Sequence, residues 1–109
     1  MISATVPIYN EEGNIQILYE RLIKALEKTG IQFEIILVND GSSDNSAQIM
    51  ESLAKEDNRL KIVNFRRNYG QTAAMMAGID CASGDIIIPM DGDLQNDPSD
   101  ISKLLTPVL

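Results

Sequence analysis

Residues 86–98 read Ile-Ile-Ile-Pro-Met-Asp-Gly-Asp-Leu-Gln-Asn-Asp-Pro, so an apolar run ends in three aspartates, Asp91, Asp93 and Asp97. In an extended chain, residues two apart point to the same side. Asp91, Asp93 and Gln95 then project together, provided the strand geometry continues through Gly92. Two carboxylates and an amide oxygen are hard oxygen ligands, suited to Mg²⁺ or Mn²⁺. Without a cation the two carboxylates would repel, and one would tend to keep its proton. Magnesium held by only two or three protein groups keeps open positions, which substrate phosphates usually fill. An acidic helix cap is the plain alternative. It suits Asp97, which precedes Pro98 at the start of an expected last helix. It suits Asp91 and Asp93 less, because they follow a buried strand. A calcium loop is rejected: its sixth position should be glycine and is Asn96, and its twelfth should be glutamate and is Ser102.

Other polar sets could bind a nucleotide. Asp40-Gly41-Ser42 follows a strongly apolar stretch; Asp40 could accept a hydrogen bond from a nucleobase N–H, with Gly41 leaving room for a planar ring. The same residues are also ordinary turn formers. Tyr9 could flank a base and Glu11 could bind a ribose or a base N–H, while Arg66 and Arg67 form the adjacent basic pair that could meet phosphate. There is no G-x-x-x-x-G-K-[ST], and no G-x-G-x-x-G follows the first strand.

These residues need elements to position them. The pattern predicts strands over 2–8, 33–38, 60–65 and 85–90, and helices over 12–29, about 44–57 and 71–82, with a last helix opening at Asp97-Pro98. Ser43 or Asp44 could cap the second helix. The third is rich in small residues (Ala73, Ala74, Ala77, Gly78, Ala82) and so could pack very close to a sheet. Alternation of strand and helix with short connections predicts an α/β fold, a parallel sheet of about four strands with helices on both faces. In such sheets ligands bind beyond the carboxyl ends of the strands. The distinctive polar sets all fall at those ends; the opposite ends carry Gln32, Asn58, Arg59 and Ser83-Gly84.

The bulk numbers exclude several classes. The net charge of −7 argues against binding DNA or RNA phosphates. With no histidine, acid–base and metal chemistry falls to carboxylates, amides and backbone. The single cysteine, Cys81, excludes an internal disulfide, fits a reducing compartment and is expected to be a small buried residue. No apolar stretch approaches the ~18 residues that suggest a membrane span. The N-terminus does not have the form of a signal peptide.

Val6-Pro7-Ile8-Tyr9-Asn10-Glu11-Glu12, Val38-Asn39-Asp40-Gly41-Ser42-Ser43-Asp44, Asn68-Tyr69-Gly70 with Ala73-Ala74 and Ala77-Gly78, and Gly84-Asp85 leading to Met90-Asp91-Gly92-Asp93-Leu94-Gln95 together resemble family 2 glycosyltransferases of the Rossmann-like GT-A fold. Asp93-Leu94-Gln95-Asn96-Asp97-Pro98 looks most like the branch that acts on polyprenyl or dolichol phosphates. The resemblance implies that Pro7, Tyr9, Asn10, Glu11, Asp40, Gly41, Asp91 and Asp93 bind the UDP- or GDP-sugar. It implies that Asp91, Asp93 and Gln95 hold a Mg²⁺ or Mn²⁺ cofactor, and that the acceptor is a lipid phosphate, glycosylated with inversion at the cytoplasmic face of a membrane. Residues 1–109 are then expected to be the donor-binding part of a truncated domain, with little transfer activity alone and with the acceptor-side acid beyond Leu109. Two rivals are weaker. A non-catalytic nucleotide-binding module would share the fold. A signalling receiver domain would need a lysine on a later strand end, whereas Lys103 lies in a helical stretch.

Overall fold

The computed structural model describes residues 1–90. Four strands, β1 (Ile2–Ile8), β2 (Phe33–Asn39), β3 (Leu60–Asn64) and β4 (Ile86–Pro89), alternate with three helices, α1 (Ile15–Lys28), α2 (Ser46–Glu56) and α3 (Gln71–Cys81). Each expected strand and helix in this range is present, and most ends shift by one to three residues. The helix expected from Asp97-Pro98 lies outside the described residues.

All pairings are parallel, in the order β3-β2-β1-β4. Seven β1–β2 partners run from Ile2–Phe33 to Ile8–Asn39. The β1–β4 ladder described here runs from Ile2–Ile86 to Thr5–Pro89. Proline has no N–H to give to a ladder, yet Pro7 sits in an inner strand. The Thr5 carbonyl accepts from Met90 N–H, so Thr5 faces β4, and Pro7, two residues on, faces the same way. Pro7 therefore lies past the last described β1–β4 pair, where a missing donor leaves no described partner unpaired.

Residues two apart share a sheet face, and the two faces hold different helices. Ile2, Ala4, Val6, Ile8, Ile35 and Leu37 pack with Ile15, Leu18, Leu22, Leu26 and Met50, so α1 and α2 cover one face. Ile36 and Val38 pack with Ala74, so α3 covers the other. The buried side of α1 recurs every three or four residues, as in a one-sided helix. Each fully buried Leu or Ile contributes about 1.5–3 kcal/mol of transfer free energy, enough together to offset helix nucleation. A charged residue at Leu22, which is wholly buried, would remove that support.

The close packing expected of α3 is present. A Cβ on Gly78 would lie 2.9 Å from Thr5 Cβ and 3.3 Å from Val38 Cγ2. Cys81 corrects an expectation, because it is exposed. Ala82, four residues past Gly78, takes the inward position and packs on the Ile36–Val38 cluster, leaving the thiol outside.

The amino-terminal edge of the sheet is held by polar clusters. The buried Glu34 carboxylate accepts from Ser3 Oγ (2.6 Å) and Ser83 N–H (2.7 Å) and pairs with Lys61 Nζ (2.6 Å). Burial pushes its pKa up, but these partners outweigh burial and hold the carboxyl below its usual value. Asp57 is chelated by Arg59 through Nε (2.9 Å) and Nη2 (3.1 Å) and accepts from the Tyr19 hydroxyl. Arg59 chiefly holds the Asp57 carboxyl down at about 2. Burial, then the bond to Asp57, push the Tyr19 hydroxyl up to about 12.

This topology fixes where a ligand belongs. From β1 the chain moves through α1 to β2 and through α2 to β3; it then returns by α3, on the opposite face, to β4 on the other side of β1. The order reverses between β1 and β4. In open parallel sheets the binding crevice lies at such a point, outside the carboxyl ends of the strands.

Candidate nucleotide site

The loops that follow β1, β2 and β3 are joined by hydrogen bonds at the carboxyl edge. Asp40 N–H donates to Ile8 O (2.8 Å), so β2 stays level with β1 for one residue beyond their paired strands. Asn39 continues that tie to β3, with Asn39 Nδ2 donating to Asn64 Oδ1 (3.1 Å).

Asp40 is 3% exposed and binds the β3–α3 loop. Its Oδ1 accepts from Tyr69 N–H (2.7 Å), and its Oδ2 accepts from Gly70 N–H (3.1 Å) and Asn68 Nδ2 (3.2 Å). Asn68 Nδ2 also reaches the Asp40 carbonyl (3.3 Å). A carboxylate offers about four acceptor positions. Among the described residues three donors occupy this one, so the buried carboxylate serves first to hold the β3–α3 loop against the end of β2.

Gly41 has φ +68°, and a Cβ there would stand 2.2 Å from the Arg67 carbonyl carbon and 2.4 Å from Asn68 N. The space over Gly41 is filled by the neighbouring loop, where the sequence suggested a planar ring. Glycine is required for the close approach of two backbones.

The residues after β1 divide into two kinds. Tyr9 is 46% exposed, a large apolar ring left open to solvent at this edge. Asn10 faces its neighbours: its Oδ1 accepts from Ser43 N–H (2.8 Å), Ser43 Oγ (3.3 Å) and Asp44 N–H (3.4 Å), and its own N–H donates to Ser42 Oγ (3.0 Å). Glu11 lies in the turn that leads into α1, its carbonyl accepting from Asn14 N–H and Ile15 N–H. One carboxylate oxygen of Glu11 accepts from Asn14 Nδ2 (2.9 Å), leaving the other oxygen outside that bond.

Asp44 supports the start of α2, accepting from Ser46 N–H (2.9 Å) and from Glu12 N–H (3.2 Å). Burial pushes the Asp44 pKa up, and these donors outweigh it to hold the carboxyl low. Neither candidate is the cap of α2, which is Asn45: Asp44 supports the first turn from one residue before it, and Ser43 instead binds Asn10. After β3, the Arg67 guanidinium lies 5.0 Å from the Tyr69 ring centroid, and Tyr69 packs edge-on against Phe65 at 5.5 Å. Cation and ring are thus paired at the same edge, with Tyr69 53% exposed.

The structure therefore brings Pro7, Tyr9, Asn10, Glu11, Asp40 and Gly41 together at one edge, beside the point where the strand order reverses. Asp91, Asp93 and Gln95 lie outside the described residues, and among the described residues no cluster of three or more acidic, Cys or His side chains forms a metal site. Sequence reasoning had not singled out Asn68, which binds Asp40 twice. Its place in Asn68-Tyr69-Gly70, directly before a helix, was the available signal.

Solved structures resemble this fold, and curated proteins resemble this sequence. A mannosyltransferase from Pyrobaculum calidifontis in complex with GDP-Man and Mn²⁺ superposes with a TM-score of 0.76 at 22% identity, covering 96% of this chain and 32% of that one. S. aureus TarS in complex with UDP superposes at 0.67 with 25% identity, covering 97% and 32%. The expected GT-A architecture is thus borne out. Among curated relatives, the undecaprenyl-phosphate 4-deoxy-4-formamido-L-arabinose transferase of Proteus mirabilis (strain HI4320) is 47% identical over 105 residues, covering 95% of this chain and 32% of that protein. The enzyme of the same name from Pseudomonas fluorescens (strain SBW25) is 45% identical, covering 95% and 31%. The chain spans about a third of the length of these relatives. The family model described as glycosyl transferase family 2 matches residues 3–109, nearly the whole sequence. By that match, and by the fold and edge geometry that accompany it, the chain belongs to glycosyl transferase family 2.

Proposed function

We propose that the chain is the nucleotide-sugar-binding part of a glycosyltransferase that moves a sugar from a UDP- or GDP-sugar to a polyprenyl-phosphate acceptor, with inversion at the anomeric carbon. The observation that carries this reading is the carboxyl edge itself, where the loops after β1, β2 and β3 are bonded into one unit beside the strand-order reversal. The names of the curated relatives support the lipid-phosphate acceptor, and the nucleotides bound by the structural neighbours support the donor class.

In this reading Tyr9 flanks the base, and Asp40 accepts a base N–H. The outer oxygen of Glu11 meets a ribose hydroxyl or a base N–H. Pro7 stiffens the end of β1 beneath them. Asp91, Asp93 and Gln95 carry the hard oxygen donors that suit Mg²⁺ or Mn²⁺. When bound, the cation would neutralise charge on the donor's diphosphate. A lipid-phosphate acceptor sets the reaction at a membrane surface, proposed to be the cytoplasmic face. No helix among the described residues is long and apolar enough to cross a membrane.

Calorimetric titration of UDP and GDP, with and without Mn²⁺, tests the proposal. It predicts binding that needs the metal and is lost in Asp93→Ala. Binding indifferent to metal would favour a non-catalytic nucleotide module, and no binding of either nucleotide would refute the proposal.

A further inference from the structure

Asn10 is the described non-glycine residue with positive φ, at +52°. Asparagine tolerates this left-handed region better than most residues, but the conformation is still strained and persists only where surroundings enforce it. Here the surroundings are the loop between β2 and α2. The first N–H groups of a helix have no partner within the helix, and Asn45, the residue that caps α2, supplies no side-chain hydrogen bond. Ser46 N–H goes to Asp44 Oδ1 within the same loop, and the amides just before the helix find their partners in the β1–α1 loop. Asn10 Oδ1 takes Ser43 N–H and Asp44 N–H, and Glu12 Oε2 takes Asn45 N–H (3.2 Å). The bonding is reciprocal: Ser42 Oγ takes Asn10 N–H, Ser46 Oγ takes Glu11 N–H (3.1 Å) and Asp44 Oδ2 takes Glu12 N–H. Residues 10–12 and 42–46 thus form a clasp across two loops.

One loop carries Tyr9 and Glu11, and the other begins with Asp40 and Gly41. We infer that Asn10 is a positioning residue for the nucleotide site: its amide oxygen holds the β2–α2 loop and so sets where Tyr9 and Glu11 stand relative to Asp40. This inference rests on the proposed nucleotide binding and replaces the expectation that Asn10 contacts the nucleotide itself. The distinction is chemical. The clasp uses the Oδ1 acceptor, which aspartate retains. A direct contact to diphosphate would use the Nδ2 donor, which aspartate replaces with a repelling oxygen.

The test compares the wild-type chain with Asn10→Ala, Asn10→Gly and Asn10→Asp. It combines amide hydrogen exchange on the ligand-free chain with calorimetric titration of UDP and GDP plus Mn²⁺. Titrations in about 0.5 M salt, where the Debye length is about 4 Å, limit the long-range effect of the added charge. The inference predicts that Asn10→Ala and Asn10→Gly lose exchange protection at Ser43 and Asp44 and bind nucleotide about tenfold more weakly, a change of about 1.4 kcal/mol. Because Asn10→Gly relieves the backbone strain, its loss isolates the amide from the dihedral. Asn10→Asp should restore both protection and affinity, to within about threefold of wild type. Weaker binding in Asn10→Asp than in Asn10→Ala would assign a direct ligand contact and overturn the inference. So would unchanged exchange or unchanged affinity in Asn10→Ala. If the wild type binds neither nucleotide, the proposed function fails and this inference falls with it, whereas a wild type that binds while Asn10→Ala matches it refutes the inference alone.

Discussion

Gly41→Ala tests the loop packing at the site most sharply. Two effects add. At φ +68° a Cβ sits in the left-handed region, at a cost of about 1–3 kcal/mol. The new methyl also falls 2.2 Å from Arg67 C and 2.4 Å from Asn68 N, both backbone atoms that no rotamer change can move aside. Overpacking of this kind costs about 1–3 kcal/mol. The total, about 2–6 kcal/mol, is a large part of the 5–15 kcal/mol typical of a domain. At about 2.1 cal/mol/K of unfolding entropy per residue, it lowers Tm by about 10–25 °C for a chain of 109 residues. Two other glycines separate the effects. Gly30 has φ +69° with nothing within 4 Å of its Cβ position, so Gly30→Ala meets the same strain alone, about 1–3 kcal/mol, without the clash. Gly13 has an ordinary φ and open space, so Gly13→Ala changes stability by no more than about 0.5 kcal/mol. Thermal and urea unfolding of the three variants should rank them Gly41, Gly30, Gly13, with m-values unchanged. Nucleotide affinity should fall in Gly41→Ala alone, because the methyl pushes Asn68 away from Asp40. A Gly41→Ala chain as stable as Gly30→Ala would show that the two loops are not in the contact described.

Further predictions follow from the polar clusters and the helix interface. Asp57 has a depressed pKa, so its contribution is present above the unfolded carboxylate value near 3.9 and is lost as pH falls through about 2. Acid titration of stability should therefore lose about 1–2 kcal/mol between about pH 4 and pH 2, and Asp57→Asn should flatten that segment; the figure is discounted because Arg59 is partly exposed. Lys61→Met leaves the Glu34 carboxylate buried without its cation, and urea denaturation should show a loss of about 1–3 kcal/mol at pH 7 that shrinks on acidification. Gly78→Ala forces α3 away from Thr5 and should cost about 1–3 kcal/mol in the same assay, with a larger loss for Gly78→Val.

The elements were legible because their apolar periods are clean. The 3–4 spacing of Ile15, Leu18, Leu22 and Leu26 and the continuous run Ile35–Val38 each admit one reading, and short connections between alternating elements leave little choice but a parallel sheet. Glu34 shows where pattern reading stops. In sequence it merely interrupts an apolar run, and only the fold brings Ser3, Lys61 and Ser83 to it. The site was legible as a set of positions but less so as a set of roles. Asn10, Asp40 and Gly41 carry the polar and glycine chemistry expected of ligand contacts. Much of that chemistry turns out to join one loop to the next, through partners 25 to 35 residues away that no local pattern can name. Cys81 was misjudged for a related reason: the inward end of α3 is decided by which of two adjacent positions, 81 or 82, the sheet accepts.

A nucleotide–metal complex bound at the carboxyl edge would sit between the ends of β1 and β4. Paramagnetic broadening of backbone amide signals by Mn²⁺, recorded with UDP or GDP present, measures this directly. Broadening should centre on Tyr9, Glu11 and Met90, weaken toward Tyr69, and spare Gln32, Asn58 and Gly84 at the opposite edge. Broadening centred on the Asp57–Arg59 cluster, or spread evenly over both edges, would contradict it.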